Sequence, residues 1–361
     1  MPGYGGPVTF DTGEFDDHEQ VVFGHDPETG LRAMVAIHST ALGPSLGGCR
    51  MRPFASAGEM AADALRLSKA MSYKNALAGL PHGGGKAVIW GDPATDKSRE
   101  LFLAMGRFIA TLGGRYITAG DVGTTVADLD VIRETNPWTT GRSPEEGGSG
   151  DTGILTAFGI MQAMLATAEV VWGEASLEGR RIGISGAGKV GGRLAVHLVE
   201  EQGAEVFITD PLDATLQAVR DRVPVTIVGS ADALVDMPLD VYSPNALGHA
   251  LTMDVAERLQ STIVCGAANN QLARPEVADI LAERGILYAP DYLVNCGGVV
   301  QAAEEIPGFD MDRARARVAK VYDTTLRVLR RAEAEGITPE RAAAEEAQER
   351  IAAGAEAFRR F

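Results

Sequence analysis

The sequence predicts an α/β chain of two domains, the second built on a doubly wound parallel sheet. Three observations predict it. At 361 residues and 45% hydrophobic, the chain exceeds what one hydrophobic core usually supports. From about residue 180 short β-rich runs alternate with helix-like ones, a pattern that calls for a parallel sheet with helices on both faces. Between Thr139 and Gly153 the sequence TTGRSPEEGGSGDTG is rich in Gly, Ser, Pro and acid, as a boundary or hinge is. The expected domains are residues 1–145, with helices of about 325–361 returning to them, and residues 146–324. A cleft between the two is the expected active site.

The elements follow in order. QVVFGHD and LRAMVAIHST, bounded by Asp, Pro and Gly, read as a hairpin. Met60, Ala64, Leu67 and Met71 recur at helical spacing and lead into Lys74. Phe102, Met105, Ile109 and Leu112 form a second helical face, with Ser98 to cap it and Gly113 and Gly114 to end it. RYITAGDVGTT reads as a strand running into a loop at Asp121. Leu155, Phe158, Met161 and Leu165 mark one side of a long helix, after which RRIGIS, AEVFITD, VPVTIV, LDVYSP, STIVCG and ILYAP are the strands of the second domain. The last forty residues are helix-prone and amphipathic.

A net charge of −16 argues against nucleic acid, which requires a basic face. Cys49, Cys265 and Cys296 lack metal or disulfide spacing and suit a reducing compartment. The six histidines show no HExxH spacing, so no metal site is expected. The first twenty residues carry no export-signal pattern, and apolar runs fall short of the roughly 18 residues a membrane span needs. A cytoplasmic chain is expected.

Two lysines sit in the apolar stretch MSYKNALAGLPHGGGKAVIW. A lysine is rarely buried unless paired or shifted in pKa, so Lys74 and Lys86 signal chemistry. Gly83, Gly84 and Gly85 read as clearance for a ligand beside Lys86. The segment is no phosphate loop, because Leu80 replaces the first glycine of that motif and Ala87 its Ser or Thr.

Gly186, Gly188 and Gly191, with Lys189 and Val190 between them, spell GAGKVG after an expected strand and at the start of a helix. Asp210 ends the next strand. This is the dinucleotide fingerprint of a Rossmann-type domain: a glycine for the tight turn, one for backbone approach to the pyrophosphate, and one for helix–strand packing. Asp210 would accept from a ribose hydroxyl. Pro211 and Leu212 follow it where an arginine would greet a 2′-phosphate, so NAD is the expected cofactor.

With HSTALGPSLGGCR, MSYKNALAGLPHGGGKAVI, DVGTTVADLD, GAANNQLA and ILYAPDYLVN in one order, the chain resembles the Glu/Leu/Phe/Val amino-acid dehydrogenases, chiefly their leucine and valine branch, over about residues 30–330. The resemblance implies reversible oxidative deamination of an L-amino acid with NAD, by a homo-oligomer. It matches Lys74 to the lysine that holds the substrate carboxylate, Lys86 to the catalytic lysine and Asp121 to the catalytic aspartate. Asn269 and Asn295 match asparagines at the nicotinamide end, and Thr156 a threonine near its carboxamide. The chemistry agrees, since water must attack an iminium once hydride has left, and a neutral amine of lowered pKa can deprotonate that water.

Leu42, Gly43, Ala119, Val299 and Ala302 match the side-chain pocket of the leucine-type enzymes, and all are small or aliphatic. A branched-chain substrate is expected and glutamate is disfavoured. Ala302, smaller than the valine of that branch, leaves open a phenylalanine-type enzyme. A silent NAD-binding regulator is the remaining alternative, though it would have no use for both lysines and Asp121. Departures from the pattern are Cys49, His249 in place of a glycine, and Cys296; the cysteines read as small buried hydrophobes.

Overall fold

The computed structural model describes Phe15 and residues 17–359, with side chains through residue 356. The acidic, glycine-rich start, up to residue 14, lies outside the described residues. Two compact units emerge: Met1–Asp151 with Gln301–Met311 and Ala347–Phe361, and Thr152–Val300 with Asp312–Glu346.

In the first unit, β1 (Gln20–Asp26) and β2 (Leu31–Ser39) form the expected antiparallel hairpin. β3 (Ser45–Arg52), α1 (Ala57–Leu77), β4 (Gly83–Trp90), α2 (Arg99–Ala110), β5 (Tyr116–Gly120) and α3 (Val126–Arg133) follow. The sheet order β1-β2-β4-β3-β5 places β4 in the middle, antiparallel to β2 and parallel to β3. Strand alternation then divides β4 between two cores. Ala87 and Ile89 pack with Phe102, Met105 and Ile109 of α2, whereas Val88 packs with Met60, Ala64 and Leu65 of α1. Lys86 shares the parity of Val88 and so belongs to the face that α1 covers. The expected cap forms, Ser98 accepting from the Leu101 N–H, and Ser56 likewise accepts from that of Glu59.

The second unit runs through α4 (Gly153–Trp172), β6 (Arg181–Ser185), α5 (Gly191–Glu200), β7 (Glu205–Thr209), α6 (Asp213–Arg220), β8 (Thr226–Ile227), α7 (Ala231–Val235) and β9 (Val241–Pro244). It continues with α8 (Met253–Arg258), β10 (Ile263–Val264), α9 (Val277–Glu283), β11 (Leu287–Tyr288), α10 (Asp291–Val294), the start of α11 (Gly297–Ala303), α12 (Met311–Ala319) after its first residue, α13 (Val321–Glu335) and the first part of α14 (Pro339–Arg359). All six expected strands appear in one wholly parallel sheet, in the order β11-β10-β9-β6-β7-β8. The order reverses between β6 and β9, the switch point at which doubly wound sheets bind ligands.

Two expectations need correction. α4 is an apolar helix of 20 residues with mean hydropathy 1.7, long and apolar enough to cross a membrane. The apolar-run reading missed it because Gly159 and Gln162 break the run without adding charge. Its burial goes beyond the single stripe of Leu155, Phe158 and Met161, since Ile160, Ala163, Met164 and Ala168 are buried as well, while Leu165 is only half-buried. The returning segment is also shorter than 325–361. α13 turns Thr325, Val328 and Leu329 inward within the second unit, where Tyr322 and Arg330 bond Glu169 of α4. Only the end of α14 belongs with the first unit: Gln348 donates to Tyr73 at 2.8 Å and Arg350 to the Ala76 carbonyl at 2.8 Å.

Candidate active site

Lys86 is 5% exposed on β4, and its Nζ lies 2.5 Å from Asp121 Oδ2, just beyond the end of β5. The turn that carries Asp121 is fixed by Thr124, whose hydroxyl accepts the Asp121 N–H at 3.0 Å and bonds the Cys49 carbonyl at 2.8 Å. Arg50, on β3, donates its Nε to the same Asp121 oxygen at 2.9 Å and its Nη1 to Asp63 at 3.1 Å; Arg66 donates to Asp63 at 3.0 Å. Cations and carboxylates thus alternate from Arg66 to Lys86. Burial pushes the Asp121 carboxyl upward, but the Lys86 ammonium and the Arg50 guanidinium outweigh it and hold the group well below the carboxylate range. Gly48 makes room for the pair, since a Cβ there would lie 2.8 Å from Asp121 Cβ and 3.3 Å from Lys86 Nζ.

Arg50 and Asp63 escaped the sequence reading. The available signal was an arginine inside GGCR, on a strand whose neighbours are buried. Lys74 stands half-buried in the last turn of α1. The adjacent Asn75 ties that turn to the sheet, donating to Gly83 O at 2.6 Å and Leu46 O at 3.1 Å. Of the expected pocket residues in this unit, Ala119 is on β5, Leu42 and Gly43 lie between β2 and β3, and Ala302 is near the end of α11. Leu42 packs toward the C-terminal helix, where a Cβ on Gly354 would come within 2.7 Å of it.

The triple glycine does not clear space for a ligand. A Cβ at Gly83 would fall 1.8 Å from Ser39 O, one at Gly84 2.0 Å from Ser72 N, and one at Gly85 2.7 Å from the Tyr116 ring. The three glycines admit the chain's own backbone and aromatic ring, letting β2, α1 and Tyr116 close on β4.

In the second unit the GAGKVG turn joins β6 to α5. Gly186 has φ +106°, a Cβ on Gly191 would meet Gly186 O at 1.9 Å, and one on Gly188 would meet nothing within 4 Å. The turn is therefore tight, closely packed at its third glycine and open at its second. Asp210 lies at the end of β7 and accepts from Ala187 N at 2.7 Å and Leu212 N at 2.9 Å. Lys189 is exposed and Val190 half-buried. Asn295 donates to Asn269 Oδ1 at 2.9 Å and to Ala267 O at 3.1 Å, while its own buried Oδ1 has no partner among the described residues. Thr156 donates to the Thr152 carbonyl, and a Cβ on Gly298 would come within 2.9 Å of its hydroxyl. Val299 is half-buried on α11.

The departures are located too. Cys49, Cys265 and Cys296 are buried, and burial raises the Cys49 thiol to about 12. His249 is exposed at φ +61°, and its N–H donates to Asn270 O at 2.6 Å.

Comparison with known proteins decides the family. The profile of the Glu/Leu/Phe/Val dehydrogenase dimerisation domain matches residues 18–137, and that of the Glutamate/Leucine/Phenylalanine/Valine dehydrogenases matches residues 212–357. The chain belongs to this family. A valine dehydrogenase of Streptomyces coelicolor is 56% identical over 93% of this chain and 92% of its own length. A leucine dehydrogenase of Thermoactinomyces intermedius is 44% identical over 95% and 93%. An L-tryptophan dehydrogenase of Nostoc punctiforme has a solved structure that matches with a TM-score of 0.81, at 35% identity over 94% of this chain and 97% of that one. The chain is an amino-acid dehydrogenase of the leucine and valine branch, and membership together with the doubly wound domain implies a nicotinamide cofactor.

Proposed function

We propose that this dehydrogenase converts a branched-chain aliphatic L-amino acid, NAD+ and water reversibly into the 2-oxo acid, ammonium, NADH and a proton. The buried Lys86–Asp121 pair, with Arg50 behind the carboxylate, carries the reading: it is an acid and a base fixed within hydrogen-bond reach of each other. The nicotinamide ring supplies the chemistry of taking up the Cα hydride. Lys74 binds the substrate carboxylate and so fixes the orientation of Cα. Lys86, once its ammonium proton has been released, takes a proton from the water whose oxygen bonds to the iminium carbon. Asp121, held ionised, exchanges a proton with the substrate nitrogen. Leu42, Gly43, Ala119, Val299 and Ala302 offer the side chain aliphatic surface and no charge.

The residues of the second unit fit the cofactor. Gly186–Gly191 would hold the pyrophosphate at the N-terminus of α5, where Gly188 leaves open space. The unpartnered buried Oδ1 of Asn295 suits a carboxamide N–H, with Asn269 and Thr156 beside that role. Asp210, followed by Pro211 and Leu212, favours NAD over NADP because a 2′-phosphate would meet a carboxylate without an arginine. Three scattered, buried cysteines support a cytoplasmic setting, and the dimerisation-domain profile supports a homo-oligomer, which light scattering checks.

Reduced-cofactor absorbance with L-valine, L-leucine, L-phenylalanine and L-glutamate tests the substrate. Turnover is expected to be greatest with L-valine or L-leucine. No signal with any of the four overturns the reading, and a preference for L-phenylalanine replaces it with the aromatic one that Ala302 leaves room for. Lys86→Ala is expected to lose about 10²–10⁴-fold in kcat while binding NAD normally. Undiminished turnover by that variant removes Lys86 from the mechanism.

A further inference from the structure

Glu305 is a fully buried carboxylate with no part in the chemistry above. It follows α11 directly, its N–H donating to the Ala302 carbonyl at 3.2 Å. Its side chain is 0% exposed, and Oε1 accepts from Gly141 N at 2.9 Å, Ser149 N at 2.8 Å and Ser149 Oγ at 2.5 Å. Oε2 faces Arg142, at 3.4 Å from its N–H and 3.5 Å from Nε. Gln301, four residues earlier, donates to Ser149 O at 2.9 Å and Asp151 O at 3.3 Å. An irregular loop is thus gripped by two buried side chains from one short stretch.

That loop also runs along β5. Thr118 N donates to Trp138 O, and Thr140 N to Thr118 O at 2.8 Å. A Cβ on Gly141 would lie 3.3 Å from Gly120 N and 4.0 Å from Ala119 Cα. Glu305 therefore links the end of α11, which bears Ala302, to the strand bearing Ala119, through one backbone N–H at Gly141. A charge without solvent whose Oε1 accepts three hydrogen bonds resists displacement, because each lost donor leaves the carboxylate less compensated.

We propose that Glu305 is a positioning residue for substrate selection, fixing Ala302 relative to Ala119. The inference rests on the reading above that both residues line the side-chain pocket. Its consequence is discrimination between amino acids, distinct from general loss of activity.

The test compares kcat/KM for L-valine, L-leucine and L-phenylalanine, with KM for NAD and thermal midpoints, in the full-length wild type, Glu305→Gln, Ser149→Ala and Ala302→Val. Glu305→Gln is expected to shift the L-phenylalanine to L-valine ratio by about threefold or more, a change of the size pocket contacts give, with KM for NAD unchanged. Ser149→Ala, which removes one donor and no backbone contact, should shift it the same way by less. It carries the test alone if Glu305→Gln does not fold. An equal fall with all three substrates, or an unchanged ratio in Ser149→Ala where it stands alone, overturns the inference. If Ala302→Val leaves the ratio unchanged, the pocket reading fails and the inference with it. A shift with Ala302→Val and none with Glu305→Gln overturns the role of Glu305 alone.

Discussion

The two glycine-rich segments of this chain look alike in sequence and do opposite things. Around Gly83–Gly85 every missing Cβ is replaced by the protein itself, with Ser39, Ser72 and Tyr116 in the space. At Gly186–Gly191 the outer glycines are packed the same way, but Gly188 faces open space. The proposed site residues follow that division. Lys86, at the end of the first segment, has its charge answered within the protein by Asp121, which Arg50 also holds. Asn295, in the unit of the second, keeps a buried acceptor without a donor. A glycine run by itself therefore does not distinguish room for a ligand from room for the chain. What surrounds each Cβ position does.

The largest effect should come from breaking the internal answer to charge. Arg50→Met leaves Asp63 and Asp121 with one cation each in a buried setting, and a loss of about 3–5 kcal/mol is expected in denaturant unfolding. Arg50→Lys should recover part of it. A variant as stable as wild type would mean that Arg66 and Lys86 suffice. Next comes the glycine contrast itself. Gly84→Ala forces a methyl onto the Ser72 backbone and should cost about 1–3 kcal/mol or more. Gly188→Ala should change stability by no more than about 0.5–1 kcal/mol while raising KM for NAD. Equal stability losses at the two sites would erase the distinction.

How much of this was legible beforehand follows from the same physics. The six strands after residue 180 and the Ser98 cap were readable because they depend on local pattern and turn chemistry. Lys86 and Asp121 were singled out through the resemblance, and the structure sets them 2.5 Å apart. The purpose of Gly83–Gly85 was not, because the atoms filling those positions come from Ser39, Ser72 and Tyr116, all outside the run. Arg50 and Glu305 were hidden for the same reason, since their partners lie at Asp121, Asp63, Gly141 and Ser149. The helix α4 was read, but its apolar length was missed by a rule that stops at glycine, although glycine adds no charge to an apolar helix.

A smaller effect concerns a carboxylate without an answering cation. Burial first, then the nearby Asp291, raise Glu340 to about 7. Its folded value thus exceeds its unfolded one, so the stability it allows is present below about pH 4.5 and lost as pH rises through about 7. Glu340→Gln should stabilise the protein by about 1–3 kcal/mol at alkaline pH and have little effect near pH 4, read from thermal midpoints across pH. A pH-independent difference would locate the effect in packing.

The smallest effect returns to glycine, at a place where the chain lacks one. His249 stands where the family pattern has glycine, and it adopts φ +61°, a conformation that costs a side-chain-bearing residue free energy. Its N–H is held by Asn270 O at 2.6 Å, and Asn270 is itself at φ +53°. Since the ring is exposed, removing it forfeits little packing. Two terms then compete in His249→Gly: relief of left-handed strain in the folded state, and greater freedom of the unfolded chain, each about 1 kcal/mol. Relief should win narrowly, giving a gain of at most about 1 kcal/mol by denaturant unfolding with no change in KM for the amino acid. A loss of stability would show that the histidine side chain makes a contact that outweighs its strain, and would set this position apart from both glycine segments.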